Sequence, residues 1–512
     1  MRDGVRRLGT ILALLAPSSA WAQLAPVGVA AGAARLEVDG AFEIWDNEFV
    51  DGHKRPVGAR ITTPALGSSL IPSLAPSDAL IRSITGISDY QLSLGGLTGD
   101  VISDRGTAVF GASIGLTHWL TIFGRIPLVR ARVQTNLDFD TTADAGVTPS
   151  SLQQDPFFQE FDNAINTLGA QISSGFYDGD PAQRALAEAT LASGTTLRDN
   201  LFLLLADPET ASPFVPVASS VAGGAITQQV TALQGTLSGS LGVAGFTATP
   251  VLPTTPVTGS DVEAFLNAPG GPVSLSTGES VVTFRGDAEA GAAITLVDGW
   301  DRGTKRGGLR AAVEGLVRFP TGSIPRSNQL LALGTGDGQT DVEVRGTLDV
   351  GTGAIGARLE AGYNRQLAAD YVDRVAAPTE PFAGLDRLAN IRRDPGDVTT
   401  LGVRPFVRLA RTFALIGQVE LQSRQLDKVT YASEADSIPG VDPSVLAEGT
   451  DGKATYVGIG VSYSNPGVRH PGGRGLPVDA GWTYERVVSS SRGIVPDVHR
   501  IRARFRLYFG LF

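Results

Sequence analysis

Cysteine is absent from the 512 residues, and histidine occurs only four times. The first absence excludes a disulfide scaffold, a thiolate-held metal and a cysteine nucleophile. The second argues against a histidine-rich metal centre. Charged residues are sparse, 18% against 42% hydrophobic, so the chain is not a disordered polyelectrolyte. A basic excess is lacking as well. The formal net charge of −10 speaks against nucleic acid as a partner. Long apolar runs are also missing. The densest, Leu201–Leu205, falls far short of the ~20 residues that a membrane helix needs. What is abundant is glycine, 63 residues without a collagen period.

The chain opens with a basic start through Arg6 and Arg7, a short apolar run from Leu8 to Ala16, and the small-x-small pattern Ala20-Trp21-Ala22. That order of features predicts a cleaved export signal over residues 1–22. Its removal takes three Arg and one Asp, moving the formal charge from −10 to −12. An exported chain without a membrane helix belongs in the periplasm, outside the cell, or in an outer membrane crossed by strands.

Alternation of period two points to the last of these. In 35–44, Leu36, Val38, Phe42 and Ile44 alternate with Arg35, Glu37, Asp39 and Glu43. The same pattern returns at 309–319, 341–349, 355–364, 413–422, 457–463 and 478–484. It ends with Ile501, Ala503, Phe505, Leu507 and Phe509 against Arg500, Arg502, Arg504 and Arg506. Strands of about ten residues or more, charged on one face and joined by alternately short and long connections, suit a transmembrane barrel better than a soluble sandwich. An aromatic last residue, Phe512, fits the same class. The expected fold is an all-β antiparallel membrane barrel of 14 strands, or 12 if the N-terminal pair stays out of the wall. The expected strands are 34–47, 54–63, 89–98, 106–117, 120–137, 281–297, 307–320, 338–350, 354–367, 397–410, 412–430, 453–464, 477–488 and 498–511.

Lipid on the apolar face sends the polar face into the lumen. The candidate lumen-facing residues are Glu37, Asp39, Glu43, Arg310, Glu314, Arg345, Arg358, Glu360, Glu420, Arg500, Arg502, Arg504 and Arg506. The first and last strands are expected to close the ring. Glu37 and Asp39 would then face Arg504 and Arg506, with Glu43 near Arg500, since opposite charges across a strand pair are stabilising. Trp119 is expected at the periplasmic rim, where interfacial aromatics gather.

Organisation follows from the same count. After the leader come N-terminal barrel strands over 23–137, interrupted by a helical segment, 64–88, placed in the periplasm or as a lumen plug. Residues 138–280 read as a helical extracellular insertion, and 281–512 as C-terminal barrel strands. Within the insertion, Asp155 and Pro156 are expected to start a helix carrying Phe157, Phe161, Ile165, Leu168 and Ile172. Asp180-Pro181 opens a second helix to about Ser193, Thr196 caps a third over 197–206, and 218–240 forms a fourth.

Three stretches resemble the FadL-like group of outer-membrane channels, particularly the family named for the meta-pathway of phenol degradation. They are Gly115-Leu116-Thr117-His118-Trp119-Leu120-Thr121 running on to Arg125-Ile126-Pro127-Leu128-Val129-Arg130, then Phe319-Pro320-Thr321-Gly322, and Gly334-Thr335-Gly336-Asp337. The resemblance spans 89–137 and 281–512 and implies uptake of small, often hydrophobic organic molecules. It fixes no ligand residue.

Other motifs lose on context. Gly351 to Gly356 matches GxGxxG, yet a strand pattern follows where a dinucleotide site needs a helix. Asp298–Asp301 and Asp337–Asp341 lack calcium-loop spacing. His53, His118, His470 and His499 are scattered, so no catalytic residue, cofactor or metal site is expected, and no enzyme activity. The expected function is passive uptake of small, hydrophobic organic solutes across the outer membrane of a Gram-negative bacterium. Outer-membrane lipid, the solutes and the barrel-assembly machinery are its partners. The alternative is a surface binding or adhesion protein that is anchored by the barrel and uses 138–280.

Overall fold

The computed structural model describes residues 27–140, 142–299, 308–352, 354–410, 413–464 and 478–511. The leader, Trp300, Asp301, His470 and Phe512 lie outside them. Twelve antiparallel strands close a ring. In chain order they are β1 (Ala33–Trp45), β2 (Leu97–Gly115), β3 (Leu120–Phe139), β4 (Ala288–Asp298), β5 (Gly308–Phe319), β6 (Asp341–Thr352), β7 (Ile355–Gln366), β8 (Val398–Arg408), β9 (Phe413–Arg424), β10 (Gly452–Ser464), β11 (Val478–Ser491) and β12 (His499–Gly510). A further short strand, Ser280–Arg285, pairs with the upper half of β3 and prolongs β4 across a break at Gly286-Asp287. The count of twelve plus one extra strand lies between the two expected numbers.

Two expected strands are corrected. Residues 54–63 do not enter the wall. His53–Pro56 forms a small hairpin with Asn47–Val50, and Val57–Arg60 turns into a 3-10 helix. Proline at 56 removes a ladder donor at that point. The expected strands 89–98 and 106–117 are not two spans: β2 runs unbroken through Ser103, Asp104 and Arg105, paired along its length with β3.

Why these residues build a barrel is plain from β12, where exposure alternates along the whole strand. Ile501, Phe505, Leu507 and Phe509 are 37–48% exposed, while Arg500, Arg502, Arg504 and Arg506 are buried. The same split holds for Leu36 and Val38 on β1, Ile126 and Leu128 on β3, and Val457 and Ile459 on β10. An apolar belt of this extent is unstable in water and calls for lipid around it. At the belt's edge, outward-facing Arg130 and Arg132 hold Asp104, with Arg132 also reaching Glu279.

The start of β1, the end of β12 and the tight turn from β2 to β3 share one end of the barrel; the connections over 46–96, 140–287, 320–340, 367–397 and 425–451 leave from the other. That arrangement overturns the periplasmic alternative for 64–88. β1 ends and β2 begins at the loop end, so the intervening helix α1 (Ala75–Thr85) lies there too. The 140–279 segment carries α2 (Ser151–Ser173), α3 (Pro181–Leu205), α4 (Val221–Gly235) and α5 (Gly259–Asn267), and α1 packs on α3 and α4. One apolar core joins Ile81 and Ile84 of α1, Phe157 and Phe161 of α2, and Leu204 of α3 to wall residues Val101, Val133, Tyr456 and Val487. The helices are therefore seated in the barrel mouth. No described helix is long and apolar enough to cross a membrane.

Helix boundaries differ from expectation in three places. Ser150 precedes α2, which places Pro156 inside the helix; the carbonyl that it leaves unpaired belongs to Leu152, whose residue is open to water. α3 does not break near residue 194. Thr195 and Thr196 bond back to the carbonyls of Leu191 and Ala192, and Gly194 allows Ile165 to pack closely, since a Cβ there would lie 2.8 Å from its Cδ1. α5, which the periodicity did not reveal, starts from a capping box in which Thr258 and Asp261 satisfy each other's backbone amides.

Candidate functional site: the barrel lumen

Register builds the lumen. β1 lies between β12 and β2, with Glu37 opposite Arg506, Asp39 opposite Arg504 and Glu43 opposite Arg500. Each pair is made. Arg500 Nε donates to Glu43 Oε1 at 2.6 Å, Arg504 Nη2 to Asp39 Oδ2 at 2.8 Å, and Arg506 Nε to Glu37 Oε2 at 3.2 Å. Arg502 faces Ala41 instead and lies 3.6 Å from Glu485 of β11.

The remaining candidates gather in three further groups. Asp349 of β6 takes Arg310 of β5 at 2.5 Å and Arg358 of β7 at 2.5 Å. Glu314 of β5 lies 3.3 Å from Arg345 of β6, and Glu360 and Glu420 share Arg404 of β8 at 2.6 and 3.4 Å. All thirteen side chains therefore sit on the buried face of the wall.

Several residues that organise this face were not among the candidates. Arg125 of β3 links Glu37 at 2.9 Å, Glu289 of β4 at 3.3 Å and Glu314 at 3.4 Å. Its reach to Glu37 passes over β2 at Gly111, where a Cβ would come within 2.8 Å of Glu37 Cγ and 3.2 Å of Arg125 Cγ. Glycine is required there by that approach. Arg318 likewise joins Glu289, Asp341 and Glu343.

The lumen face of β2 and β3 above Arg125 differs. It presents Thr107, Val109, Pro127 and Val129, and with Ala41 these border a cavity of about 500 Å³. Segment 324–339 also borders the cavity, through Leu330 and Leu333 among others. In that segment burial, then the neighbouring Asp287 carboxylate, pushes the Asp337 carboxyl above its ordinary range. Arg105 also faces this cavity.

No protein-family model matches the chain, and no curated protein matches it significantly. Among solved structures it is similar to an outer-membrane channel from Pseudomonas putida F1, at 9% identity and a TM-score of 0.43, covering 97% of this chain and 100% of that one. It is similar also to a FadL homologue of Pseudomonas aeruginosa (7%, TM-score 0.28, covering 94% and 90%) and to the CymD monoaromatic hydrocarbon channel (8%, TM-score 0.26, covering 94% and 89%). The chain is a closed β-barrel with an apolar outer belt. At such identities the likeness concerns the fold, and function has to be argued from the lumen itself.

Among the described residues no cluster of His, Asp and Glu is arranged to hold a metal. His53 lies in a small hairpin, His118 in the turn between β2 and β3, and His499 bonds through Nδ1 to Tyr484 Oη at 2.7 Å. Residues 351–356 carry the tight turn from β6 to β7, apart from Gly353, which is outside the described residues.

Proposed function

We propose that the protein is an outer-membrane channel of a Gram-negative bacterium that lets small organic solutes diffuse inward. The observation that carries this reading is the cavity inside a closed wall whose outer face is apolar. Short turns and termini face the periplasm in this orientation, and the helical cap faces outward. Solutes enter past the cap, settle against Val109, Pro127 and Val129, and leave past the Arg125 network. The apolar patch favours hydrophobic bodies, while the ion-paired sectors keep the rest of the lumen shaped and wet. Outer-membrane lipid surrounds the belt, and insertion depends on the barrel-assembly machinery.

Liposome swelling with purified protein tests this. Faster entry of small organic solutes than into protein-free liposomes is expected, with Val109→Trp slowing it severalfold. Equal rates with and without protein would contradict the channel reading. Exposed Leu152, Phe176 and Val221, at 66–84%, favour a second reading in which the cap contacts another surface. Deleting 145–275 separates the two: adhesion requires the segment, whereas solute entry persists or rises without it.

A further inference from the structure

We propose that the cavity holds a small organic monocarboxylate, with Arg105 as the anchor for its carboxylate. This deepens the channel reading above and rests on it for the direction of transport only.

Around Glu43 the partners are mismatched. Arg105 and Arg500 flank Glu43 from the two neighbouring strands, since Glu43 lies opposite both in register. Arg500 takes the carboxylate at 2.6 Å. Arg105 is left, only 7% exposed, with no hydrogen bond and no ion pair among the described residues. Every other deeply buried arginine bordering the cavity has an acceptor: Arg125 and Arg318 hold glutamates, Arg374 holds backbone carbonyls, and Arg500 and Arg502 hold Glu43 and Glu485. Asp287 and Asp337 border the same cavity and offset part of the charge from a distance. The Asp287 oxygens, however, are taken by the amides of Gly322 at 2.8 Å and Asp337 at 3.2 Å.

A buried guanidinium with its donors unused is costly unless an acceptor arrives. Its planar fork matches a carboxylate in two parallel bonds. The wall next to it carries an apolar patch: beyond Thr107, Val109 follows on the same face of β2, and Pro127 and Val129 lie on β3. A charged head beside an apolar bed selects a molecule with the same two parts. A carboxylate on a compact hydrocarbon body fits, and about 500 Å³ leaves ample room for one ring or a short chain. Inorganic anions use the head alone, and hydrocarbons use the bed alone.

Equilibrium binding of benzoate to the full-length protein in detergent tests the assignment, with benzyl alcohol as the uncharged counterpart. Benzoate is expected to bind at least about tenfold tighter than benzyl alcohol, as loss of one charge-assisted hydrogen bond implies. Arg105→Gln should remove that preference, and Arg105→Lys should restore part of it. Equal binding of acid and alcohol by the wild type, or unchanged benzoate binding by Arg105→Gln, would overturn the anchor. Complete displacement of benzoate by a tenfold excess of chloride would overturn the organic class. Should Arg105→Gln not fold, Val109→Trp decides: it fills the bed and is expected to abolish benzoate binding, and retention would place the site elsewhere. Benzoate binding without solute flux in liposomes would break the channel reading and leave the anchor standing. Flux without acid preference would do the reverse.

Discussion

The seam between β1 and β12 and the hairpin of β2 and β3 are neighbouring parts of one wall, yet their inner faces are built on opposite terms. At the seam three of the four buried arginines of β12 meet an acid directly opposite. On the hairpin, valine and proline line the lumen, and the one lumen-facing arginine above Arg125, Arg105, has no partner among the described residues. Both faces are compatible with the same apolar exterior, because the pleat lets the two sides of a strand vary separately. The difference teaches that charge in this lumen has two uses. Paired, it pins register: a slip of one residue would turn a whole row of guanidinium groups into lipid. Unpaired, it is available to a ligand.

Removing the shared acid of a paired group tests the first use most severely. Asp349→Asn deprives both Arg310 and Arg358 of their common carboxylate. A loss of about 3 kcal/mol is expected, read as a lower urea midpoint for unfolding from lipid vesicles. A loss under about 1 kcal/mol would show the pairs to be hydrated and interchangeable. A double-mutant cycle of Asp39→Asn and Arg504→Gln should give a coupling of about 1–2 kcal/mol, since the two touch across the seam. Zero coupling would remove the argument for register. Arg105→Leu should behave in the opposite way, leaving the midpoint unchanged or raising it by up to about 1 kcal/mol, because it deletes an unpaired buried charge. Destabilisation as large as for Asp349→Asn would erase the contrast between the faces. The smallest effect concerns the level of the turn between β2 and β3. Trp119, 43% exposed, should be quenched by shallow lipid quenchers and not by deep ones, and deep quenching would move the belt.

How much of this was legible in the sequence differs between the same two regions. On β12 four arginines alternate with isoleucine, phenylalanine and leucine, so fold, orientation and closing partner can all be read. On β3 both faces are largely apolar, Ile126 and Leu128 outward and Pro127 and Val129 inward, so period two is blurred and Arg125 does not stand out. Arg105 was hidden by a boundary. The polar run Ser103-Asp104-Arg105-Gly106 reads as the end of a connection, whereas Asp104 faces outward to Arg130 and Arg132 near the belt's edge and β2 continues through. That merging of two expected strands, with 54–63 turning away at Pro56, also moved α1 from the terminal end to the loop end. Helix periodicity located α2 and α3 in 138–280, while their packing in the barrel mouth depends on wall residues distant in sequence, Tyr456 and Val487 among them.

The absence of cysteine makes the most direct test of the central claim clean, because any introduced thiol is unique. Val109 and Phe110 are adjacent on β2, one bordering the cavity and the other 48% exposed on the outer belt. With the protein in lipid vesicles, Val109→Cys should react with a small water-soluble thiol reagent, and benzoate should slow the reaction severalfold. Phe110→Cys should react only with a lipid-soluble reagent and ignore benzoate. Equal reactivity at both positions, or a Val109→Cys rate that benzoate leaves unchanged, would contradict a solute path along the β2–β3 face.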